Sequence, residues 1–151
     1  MDCAAKVGRL EKGVLDVDIL KIGAEYGYLT NETLFQLTEL PRRLAVIGGG
    51  PIGAEMAQTF ARFGAAVTVF IKDHHFLPKE DRAAATVVEQ ALRRDGVQFI
   101  CGADLQQVTL TDTGKTLHYR QQGRSGQLEV DAILVSVGRT PNIEGLGLEG
   151  A

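Results

Sequence analysis

The sequence predicts an α/β fold with a central parallel sheet and a three-stranded antiparallel β-meander. Three observations predict it. Short apolar runs rich in β-branched residues alternate with amphipathic helical segments over residues 44–101, which is typical of βαβ units. A glycine-rich turn follows the first of these runs. Half-apolar runs separated by turn residues occupy residues 106–130. Together they indicate a Rossmann-like three-layer domain.

Composition limits the class of protein. The chain has 151 residues, 44% of them hydrophobic and 23% charged, which suits one globular domain. The net charge of −3 argues against a general nucleic-acid or anionic-membrane binder. No apolar run reaches membrane-spanning length, and residues 1–13 lack the apolar core of a signal peptide. Cys3 and Cys101 lie far apart and form no C-x-x-C pattern, so a reduced, cytoplasmic protein is expected.

The first residues are the hardest to interpret. Residues 14–22 fit either a strand or a short helix, so residues 1–27 are treated as an extension of unclear structure. Residues 30–37 predict a short helix that Thr30 or Asn31 caps, and Pro41 ends it. The predicted domain therefore spans residues 28–151.

The glycine turn follows the buried strand 44–47 and opens a helix. Gly48 permits a tight turn, Gly50 has no Cβ and lets a pyrophosphate approach the backbone, and Gly53 lets the helix lie close to the strand. Pro51 suits the first helical turn. The free amides and the dipole of that helix would then face phosphates. The proposed cradle comprises Gly48, Gly50, Pro51, Ile52 and Gly53. The alternative is a glycine turn that packs a helix on a strand and binds no ligand.

The elements that follow alternate regularly. The first helix is predicted to place Ile52, Met56, Phe60 and Phe63 against the sheet and to end at Gly64. A second buried strand covers residues 66–71, and its short link predicts a right-handed βαβ unit. A second helix runs from 79–81 to about residue 95, with an apolar face formed by Ala84, Val87, Val88, Ala91 and Leu92. Residues 97–101 form a third strand.

The pattern then changes to short antiparallel strands. The runs QQVTLT (106–111), TLHYR (116–120) and QLEV (127–130) are separated by Asp-Thr-Gly and by a glycine-bounded turn, which predicts the meander. A last buried strand over residues 131–137 ends at Gly138 and Arg139.

Three segments carry a family resemblance: LPRRLAVIGGGPIGAE (40–55), the meander, and DAILVSVGRTPN (131–142). The chain resembles the pyridine-nucleotide domain of FAD-dependent pyridine nucleotide-disulfide oxidoreductases, the family of dihydrolipoyl dehydrogenase, glutathione reductase and mercuric reductase. The resemblance covers about residues 27–151. It implies an NAD(P)H-binding domain of a flavoprotein that reduces a disulfide or a metal ion, in a parent that is a homodimer.

This sequence also departs from the family. It lacks the FAD-binding glycine motif, the redox-active C-x4-C pair and the C-terminal dimerisation domain with its histidine. The chain alone is therefore expected to bind the nucleotide without catalysing turnover. In the parent chain, its expected partner is an FAD domain. No catalytic residue and no metal site is assigned. Cys101 is interpreted as a small buried hydrophobe.

The resemblance implies roles for further residues. Glu55 would lie near the nicotinamide carboxamide, although an acid at a helix N-terminus also gains about 0.3–1 kcal/mol from the dipole alone. Leu105 would contact the adenine, or would simply belong to the core. Gly138 would allow close approach to the nicotinamide half, and Arg139 would steady the turn or contact the cofactor.

The cofactor choice depends on the end of the second strand. NAD sites place an acid there for the ribose 2′-hydroxyl, and NADP sites favour a cation. Aligned with the family, the acid's position holds Ile71, and Lys72 follows where NADP-using relatives carry arginine. His74, His75 and Lys79 add positive charge, so NADP is preferred over NAD. Asp73 leaves NAD open, because a shift of two residues restores an acid.

Two other classes were weighed. A standalone nucleotide-binding regulatory or scaffold domain without catalysis is the alternative. A polar surface where the FAD domain would lie would favour this alternative, and an apolar patch there would argue against it. A self-sufficient short dehydrogenase is disfavoured, because none of Tyr26, Tyr28 and Tyr119 has a lysine four residues on.

Overall fold

A computed structural model describes residues 27–138, which form two β-sheets, two α-helices and a short 3-10 helix. The strands are β1 (Arg43–Ile47), β2 (Ala66–Ile71), β3 (Gln98–Cys101), β4 (Ala103–Thr111), β5 (Gly114–Gln121), β6 (Arg124–Val130) and β7 (Ala132–Val135). The helices are α1 (Pro51–Arg62) and α2 (Arg82–Arg94), and the 3-10 helix spans Leu34–Gln36. The predicted extension lies outside the described residues apart from Gly27.

The two sheets have the predicted topologies. The first is fully parallel, with strand order β3-β2-β1-β7. The second is the antiparallel meander β4-β5-β6. The predicted α/β class with a parallel sheet and a three-stranded meander is confirmed.

The central strand β1 shows how the three layers arise. Leu44 and Val46 pack into the core shared with the helices, whereas Ala45 and Ile47 pack into the core shared with the meander. Because successive side chains of a strand point to opposite faces, a strand covered on both sides must be continuously apolar. All four of these side chains are buried. The parallel sheet is thus the middle layer.

Two of the predicted helix faces were partly wrong. Phe63 lies at the C-terminal cap of α1 and is 68% exposed. On α2 the buried residues are Ala85 and Leu92, whereas Val87 is 66% exposed. The Asp81 side chain caps α2 by accepting from the Ala84 amide at 3.0 Å. Ala85 and Leu92 lie two helical turns apart on a narrow buried face of α2. The apolar residues beside this face therefore remain more exposed.

The segment before β1 is also less helical than predicted. Only Leu34–Gln36 form a 3-10 helix, where a helix over residues 30–37 was expected. Leu29 forms a parallel bridge with Leu134. It thus pairs as a single residue alongside β7, at the edge of the sheet. Leu34 is buried in the helix-side core, so the segment closes that edge of the sheet. No helix within residues 27–138 is long and apolar enough to span a membrane.

A polar clasp joins the start of β1 to the meander at the amino edge of the sheet. The Arg43 guanidinium donates to Asp131 at 2.6 and 3.0 Å, to Glu129 at 3.0 Å and to the Thr113 carbonyl at 3.0 Å. The Arg43 amide also donates to Asp131 at 2.8 Å. These hydrogen bonds hold the pKa of the Asp131 carboxyl below its usual value.

We expect Asp131→Asn to lower the free energy of unfolding by about 1 kcal/mol at pH 7, because the partly exposed carboxylate loses charge-assisted bonds to Arg43. Since the folded-state pKa of Asp131 is lowered, its contribution is present above the unfolded pKa near 4 and is lost as the pH falls through the folded value. Urea unfolding of the wild type and of Asp131→Asn at pH 7, 5 and 3 should give a difference in the free energy of unfolding that becomes smaller as the pH falls. Asp112→Asn, in the exposed hairpin, serves as the control. A gap that stays constant with pH would contradict this account.

Candidate functional site

A cavity of about 550 Å³ opens at the carboxyl edge of the parallel sheet. Strands β1, β2 and β7 end side by side there, since all three run parallel. Ligands of open α/β sheets bind at this edge. The cavity is lined by Ile47, Gly48, Gly49, Gly50, Pro51, Ile52, Phe70, Ile71, Lys72, Asp73, Leu77, Pro78, Lys79, Glu80, Ala103, Leu105, Ser136, Val137 and Gly138.

The glycine turn between β1 and α1 forms the floor of the cavity. Gly48 has φ +114°, and a Cβ there would lie 2.6 Å from the Ser136 carbonyl oxygen. A Cβ on Gly53 would lie 2.5 Å from the Gly48 oxygen. The tight turn and the close helix–strand contact expected at these two positions are therefore present. Gly50 differs from both, because a Cβ there would meet no protein atom within 4 Å. Its missing side chain leaves room in the cavity instead of relieving a contact in the fold.

The first turn of α1 offers unsatisfied amides. Gly50 is the N-cap and supplies no side-chain cap, and its carbonyl accepts from the Ala54 amide at 3.0 Å. Pro51 has no N–H. Within residues 27–138 the amides of Ile52 and Gly53 donate to no protein acceptor. These amides and the positive end of the helix dipole suit an anion.

The apolar wall of the cavity comes from β2 and the meander. Ile71 is 1% exposed, and its side chain fills the space beside Gly49. Leu105, on β4, is 3% exposed and belongs to the meander-side core. Phe70, which also lines the cavity, packs edge-on against Tyr119 with ring centroids 5.1 Å apart. Leu105 thus belongs to the core and also lines the cavity, and its contact with the adenine stays a prediction.

Charged residues lie where the loop after β2 borders the cavity. Lys72, Asp73, Lys79 and Glu80 all line it and are all exposed. The two histidines weighed as added positive charge do not line it: both His74 and His75 are exposed elsewhere on the loop. This end therefore carries two cations and two carboxylates.

The structure brings eight of the eleven predicted site residues to the cavity: Gly48, Gly50, Pro51, Ile52, Ile71, Lys72, Leu105 and Gly138. Gly53 lies directly beneath the turn, and Glu55 is exposed near the start of α1 without lining the cavity. Arg139 lies outside the described residues.

Among the cavity residues that sequence reasoning missed, two contact the glycine turn through hydrogen bonds. Leu77 has φ +49°, is 8% exposed, and donates its amide to the Gly49 carbonyl at 3.0 Å. The Ser136 hydroxyl donates towards the carbonyls of Ile47 and Gly48, at 3.1 and 3.4 Å. Both contacts join segments far apart in sequence. The one signal in the sequence is a serine within the predicted, mostly apolar strand 131–137.

Other chemistry is not favoured by the described part of the chain. Burial raises the pKa of the Cys101 thiol, which keeps it protonated and a poor nucleophile. Residues 27–138 contain no cluster of three or more histidine, cysteine or acidic side chains that could hold a metal.

Comparisons with known proteins agree with this arrangement. The family model described as pyridine nucleotide-disulphide oxidoreductase matches residues 13–151. The chain is 37% identical to the dihydrolipoyl dehydrogenase of Bacillus subtilis (strain 168) over 123 residues, 80% of this chain and 26% of that protein. It is similar to the solved HOCl-induced flavoprotein disulfide reductase RclA from Escherichia coli, with a TM-score of 0.71 and 36% identity over 83% of this chain and 28% of that one.

A third relative was solved with a nucleotide. The water-forming NADH oxidase from Lactobacillus brevis, bound to NADH, gives a TM-score of 0.63 and 31% identity over 74% of this chain and 24% of that one. The chain spans about a quarter of the length of each of these three relatives.

Proposed function

The chain belongs to the pyridine nucleotide-disulphide oxidoreductase family, and from that premise we propose that residues 28–151 are an NAD(P)H-binding domain. The observation that carries the proposal is the glycine turn, where free amides of α1 and the open space at Gly50 face one cavity. A dinucleotide fits this site, because its pyrophosphate needs several N–H donors and close approach to the backbone. The relative solved with NADH supports the choice of ligand class.

Each part of the cavity receives one part of the dinucleotide in this proposal. The amides of Ile52 and Gly53 donate to the pyrophosphate, and Gly50 admits it. The apolar wall that includes Leu105 packs against the adenine. Gly138, with φ +141° at the end of the cavity, leaves room for the nicotinamide half.

The family supports a proposal for the reaction of the parent protein. When bound, the dinucleotide supplies a hydride, for which we propose an FAD carried outside this chain as acceptor and a disulfide or a metal ion as the final oxidant. In this proposal the residues of this chain bind the dinucleotide and orient its nicotinamide. Glu55 is proposed near the nicotinamide carboxamide, and Arg139 at the turn after β7. We further propose that the parent is a cytoplasmic homodimer.

For the cofactor we propose a preference for NADP over NAD. The last residue of β2, Ile71, is buried and apolar and accepts no hydrogen bond from a ribose 2′-hydroxyl. Lys72 and Lys79 border the same end of the cavity and can neutralise a 2′-phosphate. Asp73 and Glu80 border it too, so the preference is expected to be moderate.

Calorimetric titration with NADPH and NADH tests the proposal. We expect saturable binding of both, with the lower Kd for NADPH. No saturable binding of either at millimolar concentration would overturn the assigned function.

Lysine substitutions test the cofactor preference separately. We expect Lys72→Ala and Lys79→Ala each to raise the Kd for NADPH about 5- to 30-fold, since each removes a charge-assisted contact with the 2′-phosphate. The Kd for NADH should stay within twofold. Arg124→Ala, in the exposed hairpin between β5 and β6, removes the same charge away from the cavity and should change neither value. Equal effects on both nucleotides would contradict the phosphate role.

A further inference from the structure

The orientation of the glycine turn depends on how its peptide planes are held. In a trans peptide the C=O and the following N–H point in opposite directions. A carbonyl fixed towards the protein therefore aims the next amide away from it. Glycine restricts its own φ and ψ least, so a glycine turn needs outside contacts to keep its planes from flipping.

The turn from Ile47 to Pro51 contains four peptide planes, and backbone hydrogen bonds hold three of them. The Ile47–Gly48 plane is fixed at both ends, since Ile47 accepts from the Ser136 amide at 2.8 Å and Gly48 donates to Phe70 at 2.9 Å. The Gly49 carbonyl accepts from the Leu77 amide, and the Gly50 carbonyl accepts from the first turn of α1.

The remaining plane, Gly48–Gly49, is held by a side chain. Its carbonyl lies 3.4 Å from the Ser136 hydroxyl, whose single proton is shared between this oxygen and the Ile47 carbonyl oxygen at 3.1 Å. The same hydroxyl lies 2.8 Å from where a Cβ of Gly53 would be, so it sits between the turn and α1. Within residues 27–138 the Gly49 amide, at the other end of this plane, has no protein acceptor.

We propose that Ser136 is a positioning residue that holds the Gly48–Gly49 peptide plane so that the Gly49 amide is available to the dinucleotide phosphates. A flipped plane would turn a carbonyl oxygen towards the phosphates, where it would repel them. The inference rests on the proposed nucleotide-binding function and adds a role for a residue that need not touch the ligand. Leu77 provides the equivalent contact for the next plane through its backbone, which no side-chain substitution removes.

The test uses three variants of the whole chain. Ser136→Ala removes the hydroxyl, Ser136→Cys keeps similar volume with a weak donor, and Ser136→Thr keeps the hydroxyl. We expect Ala and Cys to raise the Kd for NADPH and for NADH by the same factor, about two- to tenfold, because both nucleotides share the pyrophosphate. Thr should restore binding to within about 1.5-fold. Unfolding midpoints are measured on all three variants, so that a rise in Kd at unchanged stability is separated from a general loss of stability.

A second readout requires no nucleotide. One-bond N–H residual dipolar couplings of Gly49 in the free protein should fit the structure in the wild type and in Ser136→Thr, and should be reduced in Ser136→Ala. If the Gly49 couplings of Ser136→Ala match those of the wild type, the proposal is overturned, and recovery by Cys but not by Thr would overturn it as well. If the wild type binds neither nucleotide, the assigned function fails, whereas the couplings still decide whether Ser136 holds the turn.

Discussion

Gly50→Val is expected to abolish dinucleotide binding and to leave the fold intact. Gly50 has φ −81° and ψ 179°, which valine adopts readily, and a Cβ there meets no protein atom within 4 Å. The branched side chain would instead occupy the space that the pyrophosphate needs beside the α1 amides. We expect the Kd for NADPH and for NADH to rise at least about 100-fold, since the loss of two charge-assisted hydrogen bonds is worth about 3 kcal/mol or more.

Calorimetry and thermal unfolding measured together check this result. Valine is a poorer N-cap than glycine, so the free energy of unfolding should fall by no more than about 1 kcal/mol. Gly50→Ala provides a graded comparison with a single methyl group and should weaken binding less than valine does. A Gly50→Val protein that binds as well as the wild type would show that no phosphate lies against this backbone.

Gly48→Ala is expected to have the opposite profile, with a large loss of stability. The residue combines φ +114° with a Cβ position 2.6 Å from the Ser136 carbonyl oxygen and 2.8 Å from its carbon. Backbone strain at such a φ costs about 1–3 kcal/mol, and the contact with backbone forces β1 and β7 to separate. We expect a total loss of about 3–4 kcal/mol in the free energy of unfolding.

Gly64→Ala is the matched control for that result. Gly64 follows α1 with φ +102°, but a Cβ there meets nothing within 4 Å. This variant measures the backbone strain alone and should lose about 1–2 kcal/mol. Urea unfolding of the two variants separates strain from collision. Equal losses would show that Gly48 is needed for its φ alone and that the close approach of β7 is unimportant.

The elements nearest the cavity were the most predictable from sequence. Strand β2 begins and ends at the predicted residues, 66 and 71, because a β-branched run bounded by Gly64 and by charged residues admits one assignment. The glycine spacing placed the turn because each glycine has a separate steric requirement, and two of those requirements, at Gly48 and Gly53, are visible as sub-3 Å Cβ distances.

Features that depend on distant contacts could not be predicted in this way. Leu77 has a positive φ, and its amide reaches Gly49, 28 positions earlier, through a bond that no local pattern encodes. Ser136 follows the last residue of β7, where sequence reasoning sees only an interrupted apolar run. The exposed Val87 has the spacing of a buried residue, yet the buried residues of α2 are Ala85 and Leu92. Periodicity reports which residues are apolar but not how wide the contact is.

We expect the amides at the start of α1 to hold the pyrophosphate, and titration of the 15N-labelled chain with NADPH, followed by amide chemical shifts, measures this. Saturable shifts should be largest at Gly49, Gly50, Ile52 and Gly53, with little change in β6, which does not line the cavity. Saturable shifts that avoid these four amides, or no saturable shift at millimolar NADPH, would contradict it.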